Sequence, residues 1–263
     1  MINIELIENT IELLKPKRLM KYVLIYCVDG DCSVIVDEKE LSLKANDILT
    51  ITSGQYHYFK KFENAKGFIL DFTLDFFCKN DSDIELIFLN GLFCHFDLNE
   101  VIAIGDNCKI YDQLCQITEE INSKPFQYLT SIHARIVLIL TEINRVKISQ
   151  GCEIWKPDAL FLKFLELVRN NFKHNYSLYK IAEKLNTSVS KLNELAKLHA
   201  GKTAQNVIYG LIISEAKRML QYEKITIKEV AFGLGFNDPF YFSNFFKKHT
   251  GFSPKIYQDQ FVF

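Results

Sequence analysis

Two short amphipathic segments near the C-terminus carry the side chains best suited to chemistry. In residues 189–198, Val189, Leu192, Leu195 and Ala196 share one side of a helix, leaving Ser190, Asn193, Glu194 and Lys197 on the other. In residues 239–249, Phe242, Phe245 and Phe246 form the inner side, leaving Phe240, Tyr241, Asn244 and Lys248 outside. These outward side chains suit the edges of base pairs in a DNA major groove. An asparagine amide makes paired hydrogen bonds to adenine, a glutamate accepts from cytosine N4, and an aromatic ring packs on the thymine methyl. Lys191, Lys197, Lys202, Lys228, Lys247, Lys248 and Lys255 are the phosphate candidates, which position a protein without reading sequence.

Each segment needs a support, and the chain supplies one twice. SLYKIAEKLNTSVSKLNELAKLHAGKT from Ser177 repeats as TIKEVAFGLGFNDPFYFSNFFKKHTGFSP from Thr226. Ile181-Ala182 align with Val230-Ala231, Leu185 with Leu234, Leu192 with Phe242, Lys197 with Lys247 and Gly201 with Gly251. Ser177 and Thr226 are N-cap residues, Glu229 completes a capping box, and Asp238-Pro239 mark the start of the last long helix. Each copy reads as a helix-turn-helix closed by a glycine stop. Between them, residues 204–221 form one longer helix with Val207, Ile208, Leu211, Ala216 and Leu220 on its apolar side.

The order A-x-x-L-G-F-x-D-x-x-Y-F-S-x-x-F-K-K-x-x-G-x-S-P-x-x-Y, the doubled pattern and the intervening AKRMLQ together resemble the AraC/XylS family of bacterial transcription regulators over residues 158–258. The resemblance implies two recognition helices in adjacent major grooves. Its base-reading positions fall on Ser190, Asn193 and Glu194, then Phe240, Tyr241 and Asn244. The chain departs from the pattern at Glu194, Asn244 and Gln258, where Arg is common in the family. Double-stranded DNA is the implied partner, and RNA polymerase and a small-molecule effector are further partners the resemblance admits. Activation is the family's usual outcome.

Charge agrees with this division. From Asp158 onward thirteen Lys and two Arg face nine acidic residues, a net +6 within a chain whose total is −1, so the part before it carries −7. A basic module joined to an acidic one fits polyanion binding by the C-terminal part alone. Hydrophobic residues make up 48% and charged ones 24%, an ordinary globular composition. Cys27, Cys32, Cys78, Cys94, Cys108, Cys115 and Cys152 contain no CxxC pair and read as reduced, mostly buried thiols. No apolar run reaches the roughly 18 residues that span a bilayer, and the acidic start is not a signal peptide. The expected location is the bacterial cytoplasm, in association with the nucleoid, with no membrane partner.

The N-terminal part reads as strands: YVLIYCV, CSVIVD, KELSL, DILTIT, YHYFKKF and KGFILDF, with hairpin signals at Asp29-Gly30 and at residues 36–39. Residues 84–104 are expected to add strand or irregular pieces. Residues 46–77 resemble the cupin-type arm domain of the same family. The fold class expected is therefore α+β and multidomain: an antiparallel β-barrel over 1–105, a helical dimerisation segment over 106–150, a linker over 151–157 and an all-α double helix-turn-helix domain over 158–263. Leu129, Ile132, Ile136, Leu140 and Ile143 form a stripe suited either to a homodimer seam or to packing on the chain's own barrel. Tyr22, Tyr26, Tyr56, His57, Tyr58 and Phe72 are the candidate effector pocket. His57 stands alone, with no HxH motif and with His95 and His133 far away, so neither a metal, another cofactor nor catalysis is expected. The alternative is a cupin-type small-molecule-binding protein or metal enzyme with a helical appendage.

Overall fold

The computed structural model describes residues 1–7, 11–93, 99–105, 108–151 and 158–259. The chain divides into two compact units, with the described residues up to 151 in the first and those from 158 in the second. Most of the expected linker, residues 152–157, lies outside the described residues, as do Cys94, His95 and Cys152. No described helix is long and apolar enough to cross a membrane.

The first unit is built on an antiparallel sheet of β1 (Ile2–Leu6), β2 (Lys17–Arg18), β3 (Tyr22–Val36), β4 (Lys39–Leu43), β5 (Asp47–Ile51), β6 (Tyr56–Phe72) and β7 (Val101–Ala103). Its path runs β1-β6-β3-β5-β7, with β2 added on β6 and β4 on β3. Among the described residues this path is open; no pairing closes it into the expected barrel. Four expected strands are in fact two long ones. Asp29-Gly30 makes no hairpin: β3 continues through it against β6, with register shifts between Cys27 and Cys32. Gly30 takes φ 71° and Asn64, on the partner strand, φ 54°, so the turn-forming residues serve as bulges that bend both strands together. The second signal holds, since Val36 pairs Lys39 with Asp37 at φ 51° in the turn.

Alternation along the strands gives the sheet two apolar faces. Val23, Ile25, Cys27, Val34, Val36, Leu49, Ile51, Phe59 and Ile69 pack into one core. Tyr22, Leu24, Leu70 and Phe72 face the other way, where Tyr22 meets the rings of Phe72, Phe88 and Phe93. Residues 84–88 correct the strand expectation. They end a helix, α2 (Asp81–Phe88), which follows the one-turn α1 (Leu74–Phe77) and is capped by Asn80, whose side chain accepts from the Asp83 amide at 3.0 Å. Two longer helices complete the unit, α3 (Cys108–Ser123) and α4 (Tyr128–Ser149), packed on each other.

The apolar stripe of α4 lies inside this unit. Ile132, Ile136, Leu140 and Ile143 are fully buried within the chain itself, and only Leu129 is exposed. They are core residues and not a dimer seam, because an amphipathic helix lying on a packed unit must turn its apolar face inward. Tyr111, Leu138 and Ile148 of these two helices are exposed, although the Tyr111 ring also meets Phe68 of β6 at 5.8 Å.

The second unit is all helical: α5 (Ala159–Arg169), α6 (Leu178–Lys184), α7 (Val189–Ala200), α8 (Ala204–Tyr222), α9 (Ile227–Gly233), α10 (Pro239–Thr250) and α11 (Pro254–Asp259). The helices expected over 189–198, 204–221 and 239–249 all occur, each running one or two residues further at its C-terminal end, and α11 is an addition. Helix α8 is the hub, packing against α5, α7, α9, α10 and α11. Val207, Ile208, Leu211, Ile212, Ala216 and Leu220 are its buried side, where Glu215 and Arg218 are also enclosed and lie 3.6 Å apart.

Candidate nucleic-acid interface

The two helix pairs of the second unit are built by matching local devices. Ser177 caps α6 and Ser188 caps α7, their hydroxyls accepting from the amides of Lys180 and Lys191 at 3.3 and 3.1 Å. Thr226 and Glu229 form a reciprocal capping box on α9, and Asp238 accepts from the Phe240 amide at 2.8 Å to start α10 with Pro239 in its first turn. Both second helices end on a left-handed glycine, Gly201 at φ 63° and Gly251 at φ 85°. The turns also correspond, with Asn186 at φ 50° in the first copy and Gly235 at φ 73° in the second. At Gly235 a side chain is excluded twice over. A Cβ there would lie 2.6 Å from the Lys173 carbonyl oxygen and 2.7 Å from Asn175 Cβ.

Apolar side chains lock each pair. Ile181, Ala182, Leu192, Leu195 and Ala196 are buried in the first, and Val230, Ala231, Leu234, Phe236, Phe242 and Phe246 in the second. Phe245, expected in the core, is half-buried and packs against Tyr209, Phe236 and His249. This packing holds the outward faces of α7 and α10 in place from below.

On those faces Ser190, Glu194, Phe240, Tyr241 and Asn244 are exposed as expected, Phe240 by 81% and Tyr241 by 67%. Asn193 is a correction. It is half-buried, its Oδ1 accepts from the Ala204 amide at 3.0 Å, and its Nδ2 donates to the Val189 carbonyl at 3.2 Å. It ties α7 to the start of α8, so both ends of its amide are already committed inside the unit. Its counterpart in the repeat is Ser243, also half-buried and donating back to Pro239 at 2.8 Å. Carrying the repeat alignment one step past Leu192 and Phe242 would have exposed this. The same alignment sets Lys191 opposite Tyr241, on the outward face.

Among the phosphate candidates Lys197, Lys202, Lys228, Lys247 and Lys248 are exposed. Lys191 pairs with Glu194 at 2.8 Å, and Lys255 with Asp259 at 2.7 Å. The hydrogen bond from Lys191 to Glu194 raises the Lys191 pKa and keeps it a cation. Burial, aided by Lys248, lowers the pKa of His249, which leaves it neutral at physiological pH.

The aromatic group expected to line an effector pocket in the first unit does not share one surface. Tyr22, Tyr26 and Phe72 are buried on the helix-covered face of the sheet, because a two-sided sheet fills that face with rings. Tyr56 and Tyr58 are half-buried, and Tyr56 lies under Arg18 with 5.6 Å between the guanidinium carbon and the ring centre. His57 is on the opposite face, paired with Val36 and in phase with the core residue Phe59. It is 1% exposed, and its Nδ1 lies 3.3 Å from the Gln55 carbonyl oxygen. A ring nitrogen beside a carbonyl must carry the proton, so Nε2 presents a lone pair; that atom is buried and without a hydrogen-bond partner. Burial, with a smaller push from Lys17, holds the His57 pKa down to about 4. No group of three metal-binding side chains occurs among the described residues.

A family model described as a helix-turn-helix domain matches residues 181–260. The "HTH-type transcriptional activator RhaS" of Mannheimia succiniciproducens is 23% identical over 210 residues, covering 79% of this chain and 75% of its own. An "uncharacterized HTH-type transcriptional regulator in cgkA 5'region" of Pseudoalteromonas carrageenovora is 33% identical over 94 residues, 36% of this chain and 55% of its own, so the chain spans about half of that relative's length. A solved "transcriptional regulator (AraC-type DNA-binding domain-containing proteins)" from Chromobacterium violaceum is similar over 39% of this chain and 92% of its own, at 21% identity and a TM-score of 0.37.

Proposed function

From the premise that this chain carries an AraC-type helix-turn-helix domain and is a DNA-binding transcription regulator, we propose that α7 and α10 enter adjacent major grooves on one face of the duplex. The observation that carries this reading is the repeat itself: two helix pairs on one rod, every helix side-chain-capped at its start, each pair with an exposed outward face. Nineteen residues make α8 about 28 Å long at 1.5 Å per residue, the scale of one helical turn of DNA, roughly 34 Å. We assign base contacts to Ser190, Glu194, Phe240, Tyr241 and Asn244, and phosphate contacts to Lys197, Lys202, Lys228, Lys247 and Lys248.

The first unit, in this proposal, is a cupin-like arm that joins two copies and senses an effector. The exposed Leu138 and Ile148 support dimerisation through α4. The buried lone pair of His57 supports effector binding on the inner face of the sheet, through a hydroxyl or N–H donor. RNA polymerase contact, activation of transcription and a cytoplasmic location follow from the same premise. Selection of bound duplexes from random DNA by the full chain is the test. One enriched motif, bound in preference to its scrambled version, supports the reading, and flat enrichment across sequences refutes it.

A further inference from the structure

The repeat that relates the two outward faces pairs Ser190, Lys191 and Glu194 of α7 with Phe240, Tyr241 and Asn244 of α10, position for position. The chemistry at these positions is unlike. On α7 the Lys191 ammonium and the Glu194 carboxylate lie 2.8 Å apart, both open to solvent. A donor cation and an acceptor anion are therefore presented side by side on the outward face. In the major groove a G·C pair offers two adjacent acceptors, N7 and O6, beside the N4 amino donor of cytosine. The ammonium meets the first two and the carboxylate the third. An A·T pair places its N6 amino donor between the acceptors and adds a methyl group, so the ammonium would face a donor and the pair an apolar surface.

On α10 the same positions carry two exposed rings and an amide, with the exposed Lys247 and Lys248 one turn further on. The thymine methyl is the apolar group in the groove, and adenine N6 and N7 are the partners an asparagine amide matches with two hydrogen bonds. Lysines on the same stripe fit a polyanion and not the apolar surface of a protein partner.

We propose that the two heads read opposite kinds of base pair: the Lys191–Glu194 pair selects G·C in one groove, and Phe240, Tyr241 and Asn244 select A·T in the next. The target is then bipartite, with unlike halves. This rests on the reading that both outward faces lie in major grooves.

The test is selection from random duplexes by the full chain and by two variants, Glu194→Ala and Phe240→Ala. The enriched motif should hold a G·C-rich and an A·T-rich half centred about 10 base pairs apart. Glu194→Ala should relax the first half only, with roughly tenfold lost discrimination, and Phe240→Ala the second only. Replacing thymine by deoxyuridine in the second half should weaken wild-type binding several-fold and leave the Phe240→Ala variant unmoved. Both sites are exposed, so thermal melting should match wild type. An enriched motif with halves of like composition would overturn the proposal, as would a Glu194→Ala variant with unchanged preference; either outcome leaves the regulator reading standing. Loss of DNA binding by Phe240→Ala at every sequence alike would assign the rings to a sequence-independent contact and overturn it too. Flat enrichment by the wild-type chain would remove both readings together.

Discussion

His57 should make the first unit acid-sensitive in a way that one substitution removes. In the folded chain its pKa lies at about 4, against 6.5 for the same group in an unfolded chain. Between these values the unfolded state binds a proton that the folded state refuses, so stability rises with pH across the window and falls on acidification. About a unit above pH 6.5 both states hold neutral imidazole and the group contributes no pH dependence. Each pKa unit corresponds to about 1.4 kcal/mol, so His57 removes about 2 kcal/mol by pH 5 and about 3 kcal/mol by pH 4. The assay is urea denaturation at pH 7, 6, 5 and 4, for the wild type and a His57→Leu variant. Carboxylates titrate in the same range, so the difference between the two proteins is the quantity to read. The wild type should lose about 2 kcal/mol more than the variant between pH 7 and 5. Parallel profiles would show that the imidazole is protonated normally, and the assignment of a neutral, buried lone pair would be wrong. A molecule that donates a hydrogen bond to Nε2 would deepen the window by lowering the folded pKa further.

The other predictions concern the second unit and α4. Asn193→Ala should lower stability by about 1 kcal/mol, through lost hydrogen bonds to Ala204 and Val189, and weaken DNA binding evenly; a change confined to one base position would restore Asn193 as a reader. Gly235→Ala should cost at least about 1 kcal/mol from its left-handed backbone alone, with the contact at Lys173 added, as read by thermal melting. Ile136→Ala should destabilise by about 2–5 kcal/mol. If the proposed dimer forms through α4, Leu138→Asp should leave stability nearly unchanged and shift sedimentation to the monomer; a dimer that persists would exclude this surface as the seam. Lys247→Ala should lower affinity for all sequences alike and reduce the slope of log affinity against log salt by about 1.

The second unit was legible almost to the residue because its ends are written in local chemistry. Serine, threonine and aspartate caps, a proline in the first turn and two glycine stops act within four residues of where they stand. Helix phase alone leaves Asn193 at the boundary between inner and outer faces. The amide it caps belongs to another helix, and only alignment with Ser243 shows the direction. The stripe on α4 was legible as buried, but periodicity carries no information on what buries it. Asp29-Gly30 failed for a related reason: a residue pair that tolerates left-handed backbone serves a bulge as readily as a hairpin, and pairing with β6 decides between them. Residues 84–88 satisfied helix and strand patterns alike, with Asn80-Asp81 as the overlooked start. His57 separates from the other proposed pocket residues because the sheet sends alternate residues to opposite sides, and Tyr56 and Tyr58 flank it in sequence.

Helix α8 also acts as a ruler with a fixed angular scale. Because α7 is tied to its first residue through Asn193 and α10 is packed on its side, following a displaced half-site would require one of these contacts to break. One base pair inserted between the two halves would swing the second through roughly 36° around the duplex axis. Such a target would be engaged by one head at a time, so mutations that alter spacing should be tolerated less well than those that alter a single base.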